Sequence, residues 1–206
     1  MDRLDQVIQT AGPLLRRVDD VISTVGAPPD HRIWAELRRV RILPGAAVHA
    51  VATLRPGELT EAAPELRAGA RSYVGIAESL PAPADWTGDA ADAYDAARLR
   101  TADHLSGGLD SLDERLEATA DLADALVEWM DQARNGLAAI LAEILNSTEA
   151  VDLSNDSTLD PAVDREILAA ADVGARLLHA VADSYDLAAD LLEGSADLAN
   201  VQYQRA

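Results

Sequence analysis

Apolar residues recur along this chain at spacings of three and four and nowhere alternate with polar ones. That period predicts helices throughout and no strand. The first stripe, Leu4, Ile8, Ala11, Leu15, Val18, Ile22 and Val25, predicts a helix over roughly residues 2–25. Pro13 lies inside it and is expected to kink it or to start its second half. Gly26-Ala27-Pro28-Pro29 ends it. Asp30 then reads as the N-cap of a short helix from His31 to about Arg41, and a second short helix is expected over 46–53, between the breaks Pro44-Gly45 and Pro56-Gly57. A long helix follows over roughly 58–80, with the stripe Leu66, Ala70, Tyr73 and Ala77; Pro64 moves its true start toward 62–64. Pro81 and Pro83 end it.

The longest helical segment spans roughly 89–145. From Leu105 its seam runs Leu109, Leu112, Leu116, Thr119, Ala123, Leu126, Met130, Ala133, Leu137, Ile140 and Ile144, alternating four and three as a coiled-coil seam does. Gly107-Gly108 is the place where this helix would bend or break. Residues 146–159 read as a polar loop, and Asp160-Pro161 as an N-cap followed by proline at the first helical position. The last helix runs to about 200 with the seam Leu168, Ala171, Ala175, Leu178, Ala182, Tyr185, Ala189, Leu192, Ala196 and Ala199. The expected fold is all-α: a single elongated domain over 1–206, an antiparallel bundle of four long helices with short helices at 30–55. Its parts are an N-terminal helix with its knot of short helices (1–57), a helical hairpin (58–145), a polar loop (146–160) and a C-terminal helix (161–206). Four long helices suffice to close the seams within one chain, so a monomer is expected, with a homodimer as the alternative.

Composition narrows the function. Among 206 residues there is no Cys, which removes disulfides and thiolate metal sites. Every basic residue is Arg, and the Ala-rich, Lys-free bias is that of a GC-rich genome, so an actinobacterial source is expected. The net charge of -19 is unevenly placed: residues 1–55 hold eight Arg against six acids, whereas 56–206 hold nine Arg against thirty acids. A body this acidic is repelled by phosphate backbones, so no nucleic-acid partner is expected. The N-terminus carries acids where a secretory leader has basic residues, and no run reaches the ~18 uncharged apolar residues of a membrane span. The expectation is a soluble chain, cytoplasmic or exported by a route that needs no cleavable leader.

One turn stands out. Asp85-Trp86-Thr87-Gly88-Asp89 lies between the second and third long helices. Gly tolerates backbone angles that a tight connection demands. Trp86 has a ring large enough to cover the gap between two helix ends, and burial of that ring would make Trp86→Ala cost about 3–5 kcal/mol. Thr87 is placed as N-cap of the next helix, and Tyr94 can pack back toward Tyr73 or Ala77. The helix before Pro81, the turn Trp86-Thr87-Gly88 and the run Ala90-Ala91 to Tyr94 resemble the WxG superfamily, the helical-hairpin proteins of type VII (ESX) secretion systems. The likeness covers roughly 60–110, about a quarter of the chain. It implies a non-enzymatic interaction protein of the larger PPE-like or EspB-like form: an exported effector, or a partner co-secreted with a helical WxG-type protein or secretion component. In those larger forms the first and last helices supply the second hairpin. The family's export signal, Tyr-x-x-x-Asp/Glu, is not met: Tyr185 is followed at that spacing by Ala189, and Tyr203 by only three residues. This departure motivates the alternative of a cytosolic adaptor, chaperone or immunity-type protein for a secreted partner.

Little else suggests chemistry. His31, His49, His104 and His179 form no ligand spacing, Gly107-Gly108 lacks the following Lys of a phosphate loop, and Asp152 to Asp160 does not fit a calcium loop. No catalytic residue, metal or cofactor is expected. Trp34 with Arg38, Arg39 and Arg41 is the one basic, aromatic patch; it caps an end of the bundle, pairs with the acidic body, or binds an acidic partner. Trp129, beside Met130, reads as core, with an exposed binding ridge as the sharper alternative.

Overall fold

The computed structural model describes residues 2–108, 110–154 and 160–203, with the side chains of 160–162 and 196–203 left aside. Leu109, the run Asn155 to Thr158, the capping of the last helix and the seam positions Ala196 and Ala199 therefore lie outside the described residues. All described regular structure is helical: α1 (Arg3–Thr24), α2 (Ile33–Val40), α3 (Pro44–Ala52), α4 (Pro56–Leu59), α5 (Ala62–Ser79), α6 (Asp89–Leu105), α7 (Leu112–Leu145), α8 (Thr148–Ser154) and α9 (Asp160–Tyr203). The chain gathers into two compact units: residues 1–55 with 129–189, and 56–128 with 190–206.

In the first unit, α1 starts as its sequence dictates. Asp2 accepts the backbone N–H of Asp5 at 3.0 Å and the Asp5 carboxylate reaches back to the N–H of Asp2, a reciprocal box that satisfies two otherwise orphaned donors. Pro13 starts no second helix; one helix runs through it. Leu4, Ala11, Leu15, Val18 and Ile22 of the expected stripe are buried, while Val25, the C-cap, is 63% exposed. α1 packs on α3 and α8, and the core between them takes in Ile33 of α2, Leu137, Leu141 and Ile144 of α7, and Val173, Leu177 and Leu178 of α9. Gly174 sets how closely α9 approaches: a Cβ there would lie 2.8 Å from Ile33 Cδ1 and 3.1 Å from Pro44 Cγ. The N-terminus of α3 is held by α1, since Asp19 accepts the N–H of Gly45 at 2.8 Å.

Three expectations about elements need correcting. Asp30 does not cap α2; Arg32 occupies the N-cap without a side-chain bond, and His31 Nδ1 accepts the N–H of Ile33 instead. The expected loop at 146–159 holds α8, whose Ala150 and Leu153 are buried in the first unit. The segment 89–145 is two helices, not one. Gly107, at φ 93°, breaks it, and Ser111 starts α7 by accepting the N–H of Arg115 on its carbonyl. Asp113 steadies that start by accepting from Ser106 and Ser111 hydroxyls and the Glu114 N–H; the Ser106 bond leads in holding its carboxyl below the usual carboxylate range.

The second unit holds α5, α6 and the first part of α7. α5 packs on α6, and Arg67 of α5 spans Asp121 and Asp124 of α7, both at 2.7 Å, with Glu117 at 3.5 Å. Among its described residues the buried apolar ones are Ala63, Ala70, Ala91, Ala120 and Ala123, all alanines. Small side chains bury little area each, and burial contributes about 25 cal/mol per Å². Ile76, Leu99, Trp86 and Leu192 remain about half exposed.

Candidate functional site

The turn that carries the family resemblance is built from the end of α5 to the start of α6. Trp86 donates its backbone N–H to the Pro83 carbonyl at 3.0 Å, and Ala91 and Asp92 donate to the Gly88 carbonyl. Gly88, not Thr87, is the N-cap of α6, and no side chain caps the helix. Its φ of 97° is one that a β-branched residue resists, which is why the glycine stands there. The Tyr94 hydroxyl donates to the Pro81 carbonyl at 2.8 Å, and its ring tilts against Trp86 with centroids 5.7 Å apart. Trp86 is 52% exposed, so the ring is half a structural device and half a surface. Asp85 and Asp89 flank it.

The basic patch on α2 is divided by the fold. Arg39 is committed to α9, donating to Asp183 at 2.8 Å and Asp186 at 2.5 Å. His179 joins this seam, 3.1 Å from Glu36 and 3.3 Å from Asp183, and His31 and Arg32 both reach Asp172 at 3.3 Å. Pairing with an acidic helix thus accounts for Arg39. Arg38 and Arg41 are exposed, and neither has a partner among the described residues. Trp34 is half-buried and donates its indole N–H to the Pro28 carbonyl at 2.9 Å.

Trp129 is 9% exposed, donates to the Ser184 carbonyl at 2.6 Å, and meets Tyr185 edge-on with centroids 5.5 Å apart. It is a packing residue and not an exposed ridge. Burial pushes the Tyr185 phenol up. An open groove of about 200 Å³ runs beside Trp129, lined mainly by apolar residues such as Leu137, Ile140, Val181 and Leu187. Among the described residues no group of three or more His or acidic side chains is placed to hold a metal, and no helix is long and apolar enough to cross a membrane.

The most elaborate polar cluster was not foreseen. Arg134 of α7 is 5% exposed. It donates to Asp2 at 2.6 Å and Asp5 at 3.1 Å, and to the carbonyls of Ala52 at 2.7 Å, Leu54 at 3.0 Å and Val51 at 3.4 Å. One guanidinium therefore closes the C-terminal end of α3 and ties it to the first turn of α1. Its hydrogen bond to Asp2 holds that carboxyl below the usual range. Asp19 is shifted the other way, raised by its own burial. The signal in sequence was a single Arg beside seam residue Ala133, and nothing local marks its acceptors.

Compared with known protein families, curated proteins and solved structures, the chain matches none.

Proposed function

We propose that this chain is a non-enzymatic, helical protein-interaction protein of the type VII secretion-associated WxG kind, acting as an exported effector or co-secreted partner. The observation that carries the reading is the α5–α6 hairpin. Its two helices pack on each other through a connection in which Gly88 supplies a positive φ and the Trp86–Tyr94 ring pair stands half exposed. A half-exposed tryptophan at the tip of a hairpin offers contact area at low entropic cost, the property of a binding surface. Within this reading the chain is a helical monomer, and its protein partner is a helical WxG-type protein or a secretion component.

A second reading, a cytosolic adaptor, chaperone or immunity-type protein, is favoured by Tyr185. This tyrosine packs edge-on against Trp129 and is followed four residues on by Ala189, so it serves the fold and lacks the acid of an export signal. Co-purification of the tagged full chain from its host tests both. Recovery of a helical WxG-type protein or a secretion component supports the first reading. Recovery of a toxin-like partner alone supports the second. Recovery of the chain with no partner under crosslinking counts against both.

A further inference from the structure

The chain's four-residue basic patch splits into two flanks. Arg39 is saturated by Asp183 and Asp186. On the other flank, Arg38 follows Trp34 by one helical turn and Arg41 stands at the C-cap of α2, and both guanidiniums are exposed without a partner among the described residues. Trp34 is pre-set between them and the end of α1: its indole N–H is held by the Pro28 carbonyl, and its ring lies over Gly26. Val25, next to Gly26, is 63% exposed. The face therefore offers two unpaired cations, a fixed aromatic ring and a flanking apolar side chain.

Arg41 adds a second mark. Its φ is 65°, the left-handed conformation at a helix end that is usually filled by Gly. A side chain there is strained, yet the position carries a long cation whose guanidinium makes no bond within the described fold.

We propose that the Trp34–Arg38–Arg41 face of α2 docks an acidic segment of a partner protein, one presenting paired carboxylates and an apolar side chain. The inference rests on the interaction reading above only in that the chain acts by protein contact. Charge complementarity selects the occupant. Guanidiniums bind carboxylates in bidentate geometry, and Arg38 and Arg41 are cations that the described fold of an otherwise acidic chain leaves unneutralised.

The test uses the full chain and a fluorescent amphipathic peptide of about 20 residues, with Glu on one helical face and Leu on the other. Its Lys counterpart and the variants R38E/R41E and R71E/R100E are compared by anisotropy. The second variant makes the same charge change at two exposed arginines elsewhere. The acidic peptide is expected to bind, and its affinity to fall at least about tenfold in R38E/R41E and on raising salt from about 50 to about 300 mM, with R71E/R100E near wild type. No binding of the acidic peptide, or equal loss in both variants, overturns the proposal. So does a wild-type dimer that R38E/R41E dissociates in sedimentation, since the face would then hold a second copy. Circular dichroism confirms that both variants remain folded. If R38E/R41E loses the peptide but still recovers the same native partner, the face is not that partner's dock while the interaction reading stands.

Discussion

Replacing Arg134 by Met should cost the first unit about 3–5 kcal/mol, the range for breaking a buried ion pair from one side. The structure shows where the cost arises. Met fills much of the volume, so little cavity forms. The carbonyls of Val51, Ala52 and Leu54 lose their shared charged donor but each keeps another, the Leu54 N–H for Val51 and the Arg55 guanidinium for Ala52 and Leu54, so each lost bond costs about 0.5–1.5 kcal/mol. Asp2 and Asp5 contribute less: their side chains are 47% and 39% exposed and rehydrate when the guanidinium leaves. Asp2→Asn should accordingly cost about 1 kcal/mol or less. The assay is urea unfolding followed by tryptophan fluorescence in a Trp86→Phe background, where Trp34 and Trp129 report the first unit alone. With a slope of about 1–3 kcal/mol per molar urea, the midpoint should drop by about 1–5 M at unchanged slope. A loss below about 1 kcal/mol would refute the argument that one guanidinium serves as the cap of α3.

Close approach at Gly174 makes Gly174→Ala destabilising by about 1–3 kcal/mol, because Ile33 and Pro44 must move, while Gly136→Ala, with nothing within 4 Å, should stabilise by about 0.5–1 kcal/mol; thermal melts of the pair test both signs. Trp86→Ala should cost only about 1–2 kcal/mol, since half the ring is already in water and the Tyr94 pair is the main loss; a value above about 3 kcal/mol in urea unfolding would mean a buried ring. Titration splits two aspartates around their ordinary value of 3.8. The folded-state pKa of Asp2 is depressed, so its contribution is present above the unfolded pKa and is lost as pH falls through the folded one. That of Asp19 is raised, so its contribution is full below the unfolded pKa and is lost as pH rises through the folded one. Carboxyl-carbon NMR should place the Asp19 midpoint above that of Asp2, and the reverse order would contradict the burial of Asp19.

The helical class was legible because period and caps agree: the α1 stripe starts at an Asp2-x-x-Asp5 box, and α5 begins beside Pro64, within the expected window. The break before α7 was marked by Gly107-Gly108, although Leu105 and Leu112 stay in phase across it and periodicity alone passes straight through. Ser111-x-x-Glu114 is the capping-box pattern that marks the new start. α8 was masked by its polar flanks, with only Ala150 and Leu153 turned inward. For the site, spacing located the Trp86 turn and the α2 patch but not their chemistry. Which arginine of the patch is consumed depends on Asp183 and Asp186, more than 140 residues away. Arg134 likewise meets acceptors between 80 and 132 residues distant, a convergence that no local pattern encodes.

The functional account is tested most directly by export. The tagged full chain is followed by immunoblot in cells and culture filtrate of its host, with and without the type VII secretion ATPase, beside a cytosolic marker. The account predicts the chain in the wild-type filtrate and its loss from the filtrate, with accumulation in cells, when the ATPase is deleted. Retention in cells in both strains would contradict the secretion-linked reading.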